Sequence, residues 1–382
     1  MGNRKSSMEG VGLMAVHEKL VNSYHGKTVL VTGHTGFKGS WLSLWLESLG
    51  AKVIGYSVVP PTYPSVFTAI GLSNHIIDIR GDIRDFNKVF ETIKKYQPEF
   101  IFHLAAQPLV RYSYKHPLET FDVNIIGTAN ILEATRILQL PTTCVCITSD
   151  KCYENQECDY AYRETDPLGG HDPYSASKGA AEIVIAAYRK SFFNTNNKNG
   201  VSLSSARAGN IIGGGDWAED RIVPDCIRSL VEEKPVELRN PYAIRPWQFI
   251  LDPLFGYLLL AIKMKEKPET YAGAWNFGSY QPNAVTVQTI TEKVLKEWGS
   301  GTWQGASQNE INPHESNHLK LDISKSTTKL GWKPVYDINE TIQKTVEWYK
   351  EYYTGKIDMY EFSLEQVKSY MRDIDKIQTG IV

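Results

Sequence analysis

The 382-residue chain predicts an α/β fold, a doubly wound parallel sheet with a smaller C-terminal lobe. Three observations carry that expectation. A short β-branched run, Thr28-Val29-Leu30-Val31-Thr32, ends in glycines and is followed by apolar residues at helical spacing, which reads as strand, tight turn and helix. The same alternation then recurs to about residue 148, and such βαβα repetition builds a parallel sheet with right-handed crossovers and helices on both faces. Beyond Ala206 the alternation gives way to Gly-, Pro- and aromatic-rich connections, from which the second lobe is made.

Residues 1 to 25 read as an extension outside the fold. Met1-Gly2-Asn3-Arg4-Lys5-Ser6 fits a loose myristoylation pattern, although a floppy start or cloning remnant explains it equally well. Leu42, Leu44, Trp45, Leu46 and Leu49 mark the first helix. Ala51 to Tyr56, His75 to Asp78 and Phe100 to Ala105 are the next strands, with an amphipathic helix over Phe86 to Tyr96. Thr143 to Thr148 is a fifth strand and delivers Ser149 at its C-terminal end. A long helix opens at Tyr174 and runs through Tyr188, and Val201 to Ala206 is a sixth strand. In the second lobe, helices are expected over Asp225 to Glu233, Val285 to Trp298 and Asn339 to Tyr352, with a strand over Val236 to Leu238. Residues 26–205 are thus the first domain, with later segments returning to it, 206–355 are mainly the second, and 356–382 are a C-terminal tail.

A formal charge of −2 gives no general attraction to nucleic acid or to an anionic membrane, so neither is expected as a partner. The longest apolar run, near Leu254 to Ile262, is far shorter than the roughly 20 residues a bilayer requires. The five cysteines lack Cys-x-x-Cys spacing, so no metal site is expected and the thiols read as reduced, which fits a cytoplasmic protein.

Thr32-Gly33-His34-Thr35-Gly36-Phe37-Lys38-Gly39 sets glycines three apart between a strand and a helix, where backbone approaches a pyrophosphate and the helix N-terminus stabilises its charge. Asp82-Ile83, after the third strand, suits the adenine, with a helix-capping aspartate as the alternative. The second strand ends at Tyr56-Ser57-Val58 without the acid that holds a ribose 2′-hydroxyl, so the residues alone leave NAD and NADP open. Lys38 suits either a 2′-phosphate or a solvated surface.

Ser149-Asp150-Lys151 precedes Tyr174-Ser175-Ala176-Ser177-Lys178 by one connection. A tyrosine titrates near pH 10, but a lysine one helical turn later shares its face and favours the phenolate. Oxidising an alcohol needs that one base. Eliminating water afterwards needs a second base and an acid, which Asp150 and Lys151 supply.

With Gly36-Phe37-Lys38-Gly39-Ser40-Trp41, Asp172-Pro173-Tyr174 and Gly209-Asn210-Ile211-Ile212-Gly213-Gly214-Gly215-Asp216-Trp217, these motifs resemble the extended short-chain dehydrogenase/reductases acting on nucleotide sugars, and within them the hexose 4,6-dehydratases. The resemblance covers about Lys27 to Thr345. It implies a Rossmann-type domain holding NAD through Gly33, Thr35, Gly36, Phe37, Lys38, Gly39, Asp82, Ile83, Leu104, Ala105, Ala106, Tyr174 and Lys178. Tyr174 would take the proton of the sugar 4-hydroxyl, Lys178 hold the ribose and Ser149 bond the 4-oxygen. Related dehydratases place Asp-Glu after that hydroxyl, the glutamate taking the C5 proton and the aspartate protonating the leaving hydroxyl. Here the base position is Lys151, which acts as base only when partly neutral, and an ion pair with a carboxylate is its other reading.

Gln107, Arg111, Arg207, Asn210, Arg221, Arg239, Arg245 and Asn276 are the expected substrate contacts, each with an ordinary surface or core role as its alternative. Forked guanidinium groups suit a diphosphate. The implied substrate is CDP-glucose, the cytidine resting wholly on the resemblance, in a pathway making deoxysugars such as those of lipopolysaccharide O-antigen. A homodimer or homotetramer through paired helices, one of them Ser175 to Lys190, is implied as well. His103 reads as a satisfied core histidine, and Asn124 as a tie between the central helix and the site or a purely structural amide. An epimerase or net dehydrogenase on the same scaffold, and a non-catalytic dinucleotide sensor, remain the competing readings.

Overall fold

The computed structural model describes residues 16–193, 200–279, 284–306 and 319–379. The myristoylation-like hexapeptide lies outside them. Nine strands and ten helices suffice to place the site. The helices are α1 (Val16–Tyr24), α2 (Phe37–Ser48), α3 (Phe86–Tyr96), α4 (Gly127–Leu138), α5 (Pro173–Ser191), α6 (Ile222–Val231), α7 (Leu251–Glu266), α8 (Val287–Trp298), α9 (Ile338–Thr354) and α10 (Met359–Thr379). The strands are β1 (Thr28–Thr32), β2 (Lys52–Ser57), β3 (Ile77–Arg80), β4 (Phe100–His103), β5 (Thr143–Ile147), β6 (Ser202–Ala208), β7 (Asn210–Ile212), β8 (Ile244–Phe249) and β9 (Ala274–Phe277).

Seven strands form one parallel sheet in the order β9-β6-β5-β4-β1-β2-β3. The central strands β4 and β5 are buried at every residue, as a sheet covered on both faces requires. The chain crosses over between β1 and β4, and the ends of β1, β4, β5 and β6 therefore converge on one edge, where α/β sheets place their ligands. A three-stranded sheet contains β7 and β8, with β7 following the end of β6 after one residue and pairing parallel to β8.

Most of the expected elements stand within a few residues of their sequence assignments. The differences lie at the two ends and in the apolar run. Val16–Tyr24 is a helix before the expected start of the fold: Tyr24 is fully buried, donates to the Leu258 carbonyl at 2.8 Å and has its ring 4.9 Å from Phe100. The expected tail is α10, whose Tyr370 meets Trp45 edge-on at 5.7 Å. The apolar run is the middle of α7, a helix buried almost all round and therefore interior. Among the described residues no helix is long and apolar enough to cross a membrane.

Candidate active site

The glycine turn sits where β1 enters α2. A Cβ on Gly33 would lie 2.7 Å from the Ala105 nitrogen, and one on Gly39 would lie 2.1 Å from the Gly33 carbonyl, so both glycines are required by the turn's own packing. Gly36 differs. A Cβ there would have only the Gly33 carbonyl within 4 Å, at 3.4 Å, and as N-cap of α2 it contributes no side-chain bond to the helix. The space and unfilled amide positions in front of the helix fit a dinucleotide pyrophosphate. Thr35 bonds the Ser57 hydroxyl at 2.8 Å, tying the turn to the end of β2. Leu104, Ala105 and Ala106 follow β4 and border the turn, the Ala105 N–H donating to Thr32 Oγ1 at 3.2 Å. Asp82 holds Arg84 through both carboxylate oxygens, and Ile83 is buried.

The catalytic candidates meet beyond β5. Ser149 caps a single 3₁₀ turn over Asp150–Cys152, accepting from the Lys151 N–H at 3.2 Å and donating to Asp150 Oδ1 at 2.9 Å. Opposite, Asp172 caps α5 by accepting from the Ser175 N–H at 2.9 Å, with Pro173 in the first helical turn, a strong start signal. Tyr174 and Lys178 are thereby held one turn apart, both buried. Asn124 anchors the helix from the neighbouring segment: its amide donates to Ser177 Oγ at 2.8 Å and its carbonyl accepts from the Gln107 N–H at 2.8 Å.

Burial sets the proton affinities here. It pushes Tyr174 up to about 12, against the pull of the Ser149 hydroxyl and the Arg221 guanidinium. Burial also brings Lys178 down to about 8 and Lys38 down to about 7, the latter helped by Arg221 and Lys178 and opposed by Asp150. Asp150 is raised by burial, with Lys151, Ser149 and Lys38 opposing. A carboxyl biased towards its protonated form suits an acid. Among the described residues no carboxylate lies within ion-pair distance of Lys151, against its alternative reading. His103 is bonded by Thr32 and Thr128 at 2.7 and 3.0 Å and lowered to about 3 by burial, a satisfied core residue.

The expected substrate contacts divide into three sets. Arg111 and Arg239 converge on one oxygen of Asp220, at 3.7 and 2.6 Å, and Arg221 is held by Asp216 at 2.7 Å. Arg239 lines an open cleft of about 710 Å3 together with Glu157, Asn240 and Tyr242. Asn210 starts β7, and Arg245 stands on β8 next to Ile244, which lines the cleft. Gln107, by contrast, is spent inside its loop, its amide donating to Thr120 and Leu109. Arg207 and Asn276 turn inward. Arg207 is 3% exposed, donates to Glu182 at 2.7 Å and to the Tyr153 hydroxyl at 2.7 Å, and that hydroxyl donates to Asn276 Oδ1 at 2.7 Å. The reason is their place in the sheet: Arg207 on β6, a strand buried at every residue, pairs directly with Asn276 on the neighbouring edge strand β9, and a buried charge there requires a buried partner. Glu182 was missed in the sequence, although an acid one turn after Lys178 was a readable signal.

A family model described as GDP-mannose 4,6 dehydratase matches residues 30–345. A CDP-glucose 4,6-dehydratase of Salmonella typhimurium is 47% identical over 353 residues, covering 92% of this chain and 98% of that protein. A dTDP-glucose 4,6-dehydratase of Xanthomonas campestris is 26% identical over 84% of this chain and 93% of its own length. Among solved structures, dTDP-glucose 4,6-dehydratase from Bacillus anthracis in complex with NAD superposes with a TM-score of 0.69 at 21% identity, over 85% of this chain and 97% of that one. A UDP-glucose 4-epimerase from Thermus thermophilus with NAD gives 0.70 at 23% identity, over 85% and 99%. The solved structures share the fold.

Proposed function

Because the chain belongs to the GDP-mannose 4,6-dehydratase family of extended short-chain dehydrogenase/reductases, we propose that it is an NAD-dependent lyase converting CDP-D-glucose to CDP-4-dehydro-6-deoxy-D-glucose. The observation that carries the reading is the union, at one sheet edge, of a buried Tyr174 and Lys178 with a Ser149-Asp150-Lys151 turn. An epimerase or a net dehydrogenase needs the first set and leaves the turn's acid and amine without work. NAD would be held by the Gly33–Gly39 turn, Ala105 and Lys178, where it would supply the acceptor for the C4 hydride and the donor of that hydride to C6.

Tyr174 takes the proton of the 4-hydroxyl, and Ser149 donates to the same oxygen. With its pKa at about 12, Tyr174 has to release its own proton from a buried phenol, whose anion is stabilised by Ser149 and Arg221. The C4 ketone acidifies C5–H. Lys151 takes that proton, Asp150 protonates the C6 hydroxyl as water leaves, and Lys151 gives its proton back to C5 as hydride adds at C6, while the proton Tyr174 took from the 4-hydroxyl restores Asp150 through solvent, so that atoms and charge balance. Arg239, Arg111 and Arg221 meet the diphosphate, and Asn210 and Arg245 flank it. The same reading includes a homodimer, supported by exposed apolar side chains at Leu118, Ile126 and Ile183, the last on α5; a monomer by light scattering would exclude it.

Incubation with CDP-glucose and NAD tests the whole. A product lighter by one water with no accumulating NADH is expected. Unchanged mass would sink the proposal, loss of two hydrogens would mark a dehydrogenase, and no turnover a sensor. UDP-, dTDP- and GDP-glucose run alongside test the base. Tyr174→Phe should lower kcat by about 10²–10⁴-fold. Lys151→Met should stop wash-out of deuterium from C5, and a normal wash-out rate would exclude Lys151 as the base.

A further inference from the structure

Glu182 lies one helical turn beyond Lys178 on α5 and is 2% exposed. Its Oε1 accepts from the Thr148 hydroxyl at 2.5 Å, and its Oε2 accepts from the Ser205 hydroxyl at 2.7 Å and from Arg207 at 2.7 Å. One carboxylate thus joins three elements: α5, the residue immediately before Ser149, and β6. With Arg207 and two hydroxyls around it, burial fails to neutralise it, and its proton affinity lies below the ordinary glutamate range.

We propose that Glu182 is a positioning residue that keeps Lys178 cationic and fixes the Ser149 end of β5 against the catalytic helix. The proposal rests on the reading of Lys178 as the cofactor's ribose contact. The groups around the amine leave Glu182 as its source of negative charge. Besides Glu182 on its own helix, Lys178 is faced by Cys146 on β5 and Cys152 on the 3₁₀ turn, whose thiols are raised well above their ordinary range and are neutral. His103 on β4 is neutral as well, and Lys38 on α2 repels. Glu182 is shared in turn with Arg207 on β6 and with Arg189 on α5. Burial has already brought Lys178 down to about 8, with Glu182 the leading opposing influence. Without that anion the amine would titrate lower still and lose its charge near neutrality.

The sign is definite. A charged Lys178 is present below its pKa and lost above it, so NAD affinity should have an alkaline limb near pH 8 in the parent protein. Glu182→Gln preserves shape and one acceptor oxygen and removes the charge, together with part of the bonding the carboxylate accepts from Thr148, Ser205 and Arg207. Measured by tryptophan fluorescence on the full chain, the limb should move to lower pH by about one unit or more, with affinity at pH 6 within about twofold of the parent. A uniform loss at every pH, with the limb unmoved, is what a purely structural role gives and would overturn the proposal. Lys178→Arg in a Glu182→Gln, Lys38→Gln background should remove the limb, since guanidinium stays charged throughout and Lys38, itself brought down to about 7, no longer contributes; a limb that persists there would overturn it too. Should Glu182→Gln fail to fold, Glu182→Asp retains the anion and shortens its reach to Thr148: the limb should stay near its parental pH while affinity falls at all pH, and a limb displaced by a full unit would overturn the assignment. Lys178→Met separates the two levels of inference. If it binds NAD as the parent does, the reading of Lys178 fails; if it does not and the Glu182→Gln limb stays put, only the inference about Glu182 fails.

Discussion

Arg207 and Arg239 read alike in the sequence, as guanidinium groups aimed at a diphosphate, yet they belong to regions governed by different physics. Arg207 is sealed between β6 and α5, bonded to Glu182 and Tyr153, with its guanidinium 4.8 Å over the Tyr153 ring. Arg239 stands on the rim of the cleft, a third exposed, with Asp220 as its partner. Behind the catalytic helix, charges are desolvated, so each must be matched and each match fixes an atom. On the rim, water and salt screen the charges, and a contact is easily exchanged for another. The first region fixes the helix that carries Tyr174 and Lys178; the second is the one proposed to meet the substrate.

The largest effect should come from breaking the buried side. Arg207→Met leaves Glu182 ionised and unpaired in the interior, and about 3–5 kcal/mol of stability should be lost. Thermal unfolding measures it. A change within about 0.5 kcal/mol, the usual range for a surface site, would show that Arg207 belongs with the rim. Arg239→Gln should leave stability unchanged and raise KM for CDP-glucose about ten- to a hundredfold with kcat nearly constant, the signature of one charge-assisted contact made equally in ground and transition states. A fall in kcat with KM unmoved would place Arg239 among the groups that act on the reacting atoms.

This contrast also explains what the sequence could reveal. β1, the glycine turn and α5 were legible because local rules decide them: a β-branched run, glycines in a turn where an added Cβ would fall 2.1 Å from a backbone carbonyl, and an Asp-Pro start signal. The meeting of the Ser149 turn with Tyr174 and Lys178 was legible because residue type and spacing carry it. The inward turn of Arg207 and Asn276 was not, since it depends on which face of a doubly covered sheet meets which helix. For α10 the signal existed: Tyr360, Ser363, Val367, Tyr370, Met371 and Ile374 recur at helical spacing and all are buried. Its partner, Trp45, lies more than three hundred residues away, so nothing local marked that face as core.

Asp220 supplies the smallest effect and the finest division of the two regions. Its single oxygen Oδ1 sits between Arg239 and Arg111, at 2.6 and 3.7 Å, where an anionic oxygen of the substrate would be expected, and its backbone adopts a left-handed φ of +61°. If the rim arginines serve the diphosphate, the carboxylate competes with it, and Asp220→Asn should tighten binding of CDP-glucose a few-fold. Asparagine tolerates the left-handed conformation at least as well, so the loop keeps its shape and only the charge is lost. Because the pair is exposed, the gain should shrink as salt rises from about 0.01 to 1 M, the range over which the screening length falls from about 30 to 3 Å. A substitution at Glu182 should show no comparable salt dependence, its charge being shielded by protein rather than by ions. If Asp220→Asn instead weakens binding, the aspartate orients the arginines more than it competes with their ligand, and the rim is organised by its own ion pairs as the interior is.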